Sequence, residues 1–200
     1  MAQIRTESEQ AIKTLLINWW TSVNQQLAAA TGETVQIGTA PVDVLYYSEV
    51  GTRLQRIAAA GEDRFAWSRP KAAAIIRDCD LFEAWLINTP FMTKTPEEFW
   101  KTPVGYIVLN ARLWAENDRL ISVSQAADIS GLSLSTLSQR VSRGTVEGFE
   151  DPFEPNPRRS RRIRHSTAVQ LKEVATLEKE IANKRISPKP PISSQAIAPV

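Results

Sequence analysis

Residues 122–144, SVSQAADISGLSLSTLSQRVSRG, constrain the fold of this chain more than any other stretch. Ser122, with Gln125 three residues later, has the spacing of a capping box and predicts a helix that runs through Ile129. Gly131 lies where a tight turn requires a positive φ angle. The small side chains of Ala126 and Ala127, which precede this glycine, allow a following helix to cross the first one closely. We therefore expect a short helix and a turn.

A second short helix is predicted over residues 134–142. Ser133 is placed to cap its start, and Arg143-Gly144 supplies a basic residue in the last turn and a glycine at the C-terminal cap. The apolar side chains expected to form the buried seam of the pair are Ile129, Leu132, Leu134, Leu137 and Val141. Helix pairs with a glycine turn occur in many folds, including ordinary surface hairpins, so the pattern alone is not specific.

The outer face of the second helix has the side chains expected at a DNA surface. Following the Ser133 cap, it presents Ser135, Thr136, Ser138, Gln139 and Arg140, with Arg143 at its end. Short hydroxyls, an amide and guanidinium groups are suited to base edges and phosphates in a major groove. This face is predicted to contact double-stranded DNA.

An arginine cluster follows the two helices. Five arginines occur within seven residues: Arg158, Arg159, Arg161, Arg162 and Arg164. They lie on or beside the second of two short predicted strands, TVEGF and RRIRH, which read as a hairpin with a long tip. Such a cluster can neutralise several DNA phosphates and release their counterions. The alternative is a solvated charge run, but its position directly after the two helices favours DNA binding.

Together these motifs resemble the winged helix-turn-helix of the MerR and excisionase-like families. The shared pattern is a Ser/Thr-x-x-Gln-Ala-Ala start, an apolar-Gly-apolar-Ser turn, a Thr-Leu helix, Arg-Gly and an Arg-rich wing, and it covers about residues 120–175. The resemblance implies that helix 134–142 enters the major groove while the wing contacts the DNA backbone or minor groove. This chain departs from MerR sensors in its long acidic wing tip, EDPFEPNP, and in the C-terminal position of the motif.

The preceding part of the chain is predicted to be a helical bundle. Apolar residues spaced by three and four predict a helix over residues 7–30 that Gly32 ends. A second helix is expected to run from about residue 41 to Gly61, with Gly51 as a possible interruption. Ser68, Thr95 and Thr102, each followed closely by proline, predict three further helix starts, and Thr95-Pro96-Glu97-Glu98 has the spacing of a capping box. In total, about five helices are expected before residue 120.

Composition separates the two parts. All six tryptophans (Trp19, Trp20, Trp67, Trp85, Trp100 and Trp114) precede residue 120, and residues 121–200 hold 12 basic against 8 acidic side chains. The fold class predicted is mainly α: a Trp-rich helical domain over 1–118, a winged helix-turn-helix with a small β-hairpin wing over 119–185, and a disordered Pro/Ser-rich tail over 186–200. The tryptophans are expected to form core packing; an apolar ligand pocket or a partner surface is the alternative.

Other classes of function find little support in the sequence. One cysteine and one histidine nearly exclude a Cys/His zinc site, and we expect neither a metal, a cofactor nor catalysis. Asp78 and Asp80 of RDCDLFE point apart on a helix, and Cys79 has no histidine partner nearby. No apolar run is long enough to span a bilayer and no signal peptide is recognised, so we expect no membrane contact and a cytoplasmic, nucleoid-associated protein.

Two functions remain open from the sequence. The first is a sequence-specific DNA-binding protein, either a transcriptional regulator or an excisionase-like factor of a mobile element, acting as a homodimer. Residues 1–118 would then supply oligomerisation, effector sensing or docking of a protein partner. The second is an interaction adaptor whose helical domain docks a partner and whose basic C-terminal part tethers it non-specifically to nucleic acid.

Overall fold

A computed structural model describes residues 4–32, 42–84 and 96–186 of the chain. Within these ranges the protein is mainly helical and has one small antiparallel sheet, which confirms the predicted mainly α class. The predicted tail lies outside the described residues from 187 onward, as does Trp85. Over the same described ranges, no helix has the length and apolar character needed to cross a bilayer.

Six helices of the described residues precede residue 116, close to the number predicted. They are α1 Thr6–Thr31, α2 Val42–Tyr46, α3 Glu49–Gly61, α4 Arg69–Phe82, α5 Pro96–Trp100 and α6 Pro103–Ala115. The following part contains β1 Leu120–Ser122, α7 Val123–Ser130, α8 Leu134–Ser142, β2 Phe149–Glu150, β3 Arg161–Arg164 and α9 His165–Ile186.

Helix α6 lies at the centre of the helical part. It contacts α1, α3, α4 and α5, and its buried side chains include Val104, Val108 and Trp114. A helix that is apolar around most of its circumference is stable only when other helices cover it. Three consecutive alanines of α3, Ala58–Ala60, are buried in the same core and let α3 approach closely. The start of α6 is set locally, because the Thr102 hydroxyl accepts a hydrogen bond from Gly105 N at 3.1 Å.

The second predicted helix is divided into α2 and α3. The break lies at Tyr47–Ser48 and not at Gly51, as the sequence had suggested. The Ser48 hydroxyl accepts from Gly51 N at 3.3 Å and so begins a new helix. Gly51 lies in its first turn, where a β-carbon would stand 2.1 Å from the Tyr46 carbonyl oxygen. Glycine is required there because the two helices approach so closely.

The tryptophans pack in and around this core. Trp114 is buried, and Trp19, Trp20 and Trp100 are partly buried against the same cluster. Trp67 is 43% exposed and donates from its indole nitrogen to the Ala115 carbonyl at 3.2 Å. Core packing therefore accounts for most of the described tryptophans.

A second apolar core holds the C-terminal part together. It is formed by Ile121 of β1, Ala126 of α7, Leu137 of α8, Ile163 of β3 and Ala168 of α9, all buried. Strand β3 is central in the order β1-β3-β2, and both of its neighbours are antiparallel to it. Strand β1 was not anticipated from the sequence. The hairpin of β2 and β3 was anticipated, although β2 is only two residues long.

The carboxylates of Asp78 and Asp80 on α4 form ion pairs with arginines of neighbouring helices. Asp78 is buried, and its carboxylate lies 3.0 Å from Arg53 and 2.7 Å from Arg56 of α3. Asp80 binds Arg112 of α6 at 2.8 Å instead. Burial raises the pKa of Cys79, between them, to about 12. The two carboxylates thus join α4 to different helices.

Replacement of Asp78 should destabilise the helical part. Asp78→Ala leaves two arginines without their shared carboxylate, and we expect a loss of about 2 kcal/mol in the free energy of unfolding. Asp80→Ala is the matched control: its side chain is 59% exposed against 5% for Asp78, so its loss should stay below about 1 kcal/mol. Urea unfolding of both variants measures the difference, and equal losses would contradict the assigned role of Asp78.

Candidate nucleic-acid interface

The α7–α8 pair is fixed by local hydrogen bonds. Ser122 Oγ accepts from Gln125 N at 3.2 Å, and Gln125 Oε1 accepts from Ser122 N at 3.0 Å, so the predicted capping box is complete. Gly131 ends α7 with a φ of 70°. Ser133 Oγ accepts from Thr136 N at 3.1 Å and begins α8. The helix bounds and caps predicted for this stretch are confirmed.

Helix α8 has one buried side and one exposed side. Leu137 is fully buried, and Ile129, Leu132 and Val141 pack against the same cluster. Ser135, Thr136 and Gln139 are exposed, while Ser138 and Arg140 are half-buried. The prediction that Leu134 is buried was wrong, because its side chain is 52% exposed. Helical side chains tilt toward the N-terminus, and Leu134, as the first residue of α8, extends beyond the packed seam.

Hydroxyl groups cluster at the N-terminus of α8. Ser133 Oγ lies 3.0 Å from Ser135 Oγ and 2.8 Å from Thr136 Oγ1. Ser133 is therefore engaged as the cap, and the exposed hydroxyls of Ser135 and Thr136 stand beside it. Exposed N–H groups and hydroxyls at the positive end of a helix dipole are suited to a phosphate oxygen.

Three of the predicted arginines lie beside α8. Arg158, Arg159 and Arg161 are exposed and, with Ser138 and Leu134, line a concavity of about 710 Å³ that we call the basic groove. Its other lining residues are Ser122, Val123, Ser124, Glu154, Pro157 and Arg162. Arg161 donates to Ser142 Oγ at 2.6 Å, which joins β3 to the C-terminal end of α8. The fold thus brings Ser138 of α8 together with three of the arginines, whereas the other predicted contact residues of α8 (Ser135, Thr136, Gln139 and Arg140) do not line the groove.

The remaining arginines of the cluster are turned elsewhere. Arg162 borders the groove, but its side chain is only 17% exposed and its guanidinium binds the Asp151 carboxylate at 2.8 Å. Arg164 lies 3.8 Å from Glu147 and 5.7 Å from the centre of the Phe149 ring. Arg143, at the end of α8, is exposed and does not line the groove. Arg162 is thus occupied within the protein, whereas the Nε of Arg164 is buried without a hydrogen-bond partner among the described residues and the ion pair of Arg164 with Glu147 is long.

The acidic loop between β2 and β3 is shaped by its own side chains. Asp151 Oδ1 accepts from Phe153 N at 3.0 Å, Glu154 Oε1 from Asn156 N at 3.1 Å, and Asn156 Oδ1 from Arg158 N at 3.0 Å. The bonds accepted by Asp151 and Asn156, from backbone nitrogens two residues on, are Asx turns, and Glu154 accepts a bond of the same spacing with its longer side chain. The acidic tip therefore orders the loop that presents Arg158 and Arg159.

The same loop contacts the helical part of the chain. The Phe153 ring packs edge to face against the Tyr106 ring of α6, with the two ring centres 6.1 Å apart. Burial, together with the nearby charge of Asp151, raises the pKa of Tyr106 to about 12, so its hydroxyl stays protonated at neutral pH. Phe153 thus holds the arginine-bearing loop against α6, and the Arg162–Asp151 ion pair joins the same loop to β3.

Asp118 positions α9 against β1. Its carboxylate accepts from Ser166 N at 3.1 Å and from Ser166 Oγ at 2.6 Å. Helix α9 begins at His165, and its first turn is capped by this distant side chain. The apolar side chains of Val174, Leu177 and Ile181 further along α9 are exposed.

Comparison with known proteins finds no relative. A scan of family models, a search of curated proteins and a search of solved structures each returned no significant match to this chain. The function proposed below is therefore inferred from the residues of this chain and their geometry.

Removal of Asp118 should lower stability in a pH-dependent way. Burial alone would raise the pKa of Asp118, but hydrogen bonds from Ser166 and Arg119 and the charge of Arg164 lower it overall. A lowered pKa means that the carboxylate stabilises the fold at neutral pH and loses this effect as the pH falls through that pKa. We expect Asp118→Ala to cost about 1 kcal/mol at pH 7 and progressively less below pH about 4.

Unfolding by urea between pH 7 and pH 3 measures this difference. Glu116→Ala, an exposed acidic residue two positions earlier, is the control and should match the parent chain at each pH. An Asp118→Ala deficit that stays constant down to pH 3 would contradict a stabilising role for the charge.

Proposed function

We propose that this chain is a sequence-specific double-stranded DNA-binding protein, acting as a transcriptional regulator or an excisionase-like factor. In this proposal residues 119–185 act as a winged helix-turn-helix. Helix α8 enters the major groove, and the loop between β2 and β3 is the wing that contacts the backbone or the minor groove. The observation that carries the proposal is the basic groove, in which Ser138 and Leu134 of α8 line the same concavity as Arg158, Arg159 and Arg161.

The groove and the exposed face of α8 together offer the two kinds of contact that DNA recognition requires. Exposed guanidinium groups attract phosphates irrespective of sequence, and they fix the register of a protein on the duplex. Ser135, Ser138 and Gln139 offer hydroxyl and amide groups that can read base edges. Ser133, Thr136, Arg140 and Arg143 remain candidate contacts on the same helix or at its ends, as does Arg164 on β3, whereas the ion pair of Arg162 with Asp151 favours a positioning role for Arg162.

Selection of bound duplexes from a random pool tests the proposed function, with the mass of the complex measured alongside. A shared sequence motif in the bound fraction, and a mass for two chains per duplex, are the expected results. DNA binding without an enriched motif at ~150 mM salt would contradict the regulator and favour the adaptor. The exposed Val44, Tyr47 and Leu81 of the helical part are the observation that supports that second candidate.

Gln139→Ala should reduce sequence preference. Loss of an amide that pairs with a base edge is expected to cost about 1–3 kcal/mol at the selected site, with little effect on random duplex. Gln170→Ala, an exposed glutamine on α9, is the matched control. Fluorescence anisotropy with both duplexes gives the two affinities. An unchanged preference in Gln139→Ala would show that α8 does not read the bases.

Arg159→Ala should weaken binding to all duplexes alike. One phosphate contact fewer lowers the slope of log affinity against log salt by about 1. Arg77→Ala removes the same charge from an exposed position on α4 and is the control for net charge. Equal salt slopes for the two variants would place the phosphate contacts outside the basic groove.

A further inference from the structure

A second concavity lies between α1 and the region where α5 meets α6. Its volume is about 690 Å³, within the range of small-molecule sites in proteins. Leu15 and Trp19 of α1, Phe99 of α5 and Val104 of α6 contribute apolar side chains to its wall. Phe153, from the loop between β2 and β3, lines it as well. The cavity therefore includes part of the loop that presents Arg158 and Arg159.

One side of the cavity is polar and uncharged. Gln10, Thr14 and Asn18 recur every four residues along α1, so they lie on one side of the helix, and all three line the cavity. They add hydroxyl and amide groups to a lining that is otherwise largely aromatic and aliphatic. Such a mixture of a few neutral polar groups with aromatic rings is typical of sites that orient an aromatic ligand.

The charges of the wall favour one class of occupant. Among the described lining residues, Glu7 is the one with a charged side chain, and it is exposed. An anion would find no basic partner there and would be repelled by the carboxylate. An uncharged molecule would bury its rings against Trp19 and Phe153 without leaving an unpaired charge in an apolar site.

Phe153 connects this cavity to the basic groove. Its backbone nitrogen donates to Asp151, whose carboxylate in turn binds Arg162 of β3. A ligand that contacts the Phe153 ring therefore touches the same loop that carries the exposed Arg158 and Arg159. If duplex binding shifts the position of this loop, a ligand that contacts Phe153 and a duplex that contacts Arg158 and Arg159 each change the affinity of the protein for the other.

We propose that this cavity binds an uncharged, planar aromatic molecule and that its occupancy is linked to DNA binding through Phe153. The first half stands independently, whereas the linkage rests on the proposed DNA-binding function.

Titration of the full chain with Nile red, an uncharged planar dye whose emission rises in apolar surroundings, tests the first half. We expect saturable binding and at least a tenfold weaker affinity in Thr14→Trp, because the indole would project into the space that the dye occupies beside Leu15 and Trp19. Thr21→Trp is the matched control, because it places the same substitution at an exposed threonine of α1 that does not line the cavity. The affinity of this variant for Nile red should stay within twofold of that of the parent chain. Asn18→Trp is a second filling variant if Thr14→Trp does not fold.

Other outcomes would overturn the proposed site. Absence of saturable dye binding in the parent chain would mean that the cavity is filled or closed. A loss of affinity in Thr21→Trp equal to that in Thr14→Trp would place the dye elsewhere. Binding of the anionic dye anilinonaphthalene sulfonate as tightly as Nile red would contradict the charge argument. A mass that falls from dimer to monomer in Thr14→Trp would assign the cavity to a second copy of the chain.

The linkage is tested by repeating the dye titration with the selected duplex at saturation. The dye affinity should change at least threefold, and Phe153→Ala should reduce that change. An unchanged affinity in the presence of bound duplex overturns the linkage alone. If no duplex binds, the DNA-binding proposal fails, while the dye titrations without DNA still decide the cavity.

Discussion

Strand β3 pairs on both edges and carries Ile163 into the centre of the C-terminal core. Through Leu120–Ser122 it connects to α7, and through Phe149–Glu150 it connects to the loop that holds the arginines. Because Ile163 meets Leu137 of α8 in the same buried cluster, the strand also sets the position of α8. Loss of this packing would move α8 away from Arg158, Arg159 and Arg161. The basic groove would then be lost, because it is lined by these arginines and by Ser138 of α8.

The two parts of the chain are joined through the same loop. Phe153 packs on Tyr106 of α6, and Asp151 holds Arg162, so the arginine-bearing loop is ordered from both sides. The aromatic and carboxylate groups of the acidic tip therefore serve to position it. This arrangement gives the helical part a direct physical route to the basic groove, which a flexible linker between independent domains would not provide.

Sequence reasoning predicted the features that are encoded locally. Capping boxes and glycine turns involve residues three or four positions apart, so Ser122, Gly131 and Ser133 indicated α7 and α8 correctly. The division of α2 from α3 also has a local cause, the Ser48 cap, but the apolar pattern continues across it and concealed the break. Of the candidate contact residues on α8, Ser135, Thr136 and Gln139 are exposed as helical periodicity indicated, whereas Ser138 and Arg140 are half-buried.

Features that depend on distant partners could not be predicted in this way. Strand β1 has three residues, too few to show a period, and it exists because β3 pairs with it. Asp118 caps α9 from 48 residues away, so no spacing rule identifies it. Arg162 and Arg164 looked equivalent to their neighbours, since the sequence does not show that Asp151 and Glu147 lie within reach of them.

Hydrogen–deuterium exchange of the full chain with and without the selected duplex tests the central claim most directly. If the basic groove contacts DNA, amides in the first half of α8 and in residues 158–161 should exchange more slowly in the complex, while α4 should be unaffected. Protection confined to the helices before residue 116, with α8 and the β2–β3 loop unchanged, would contradict the account.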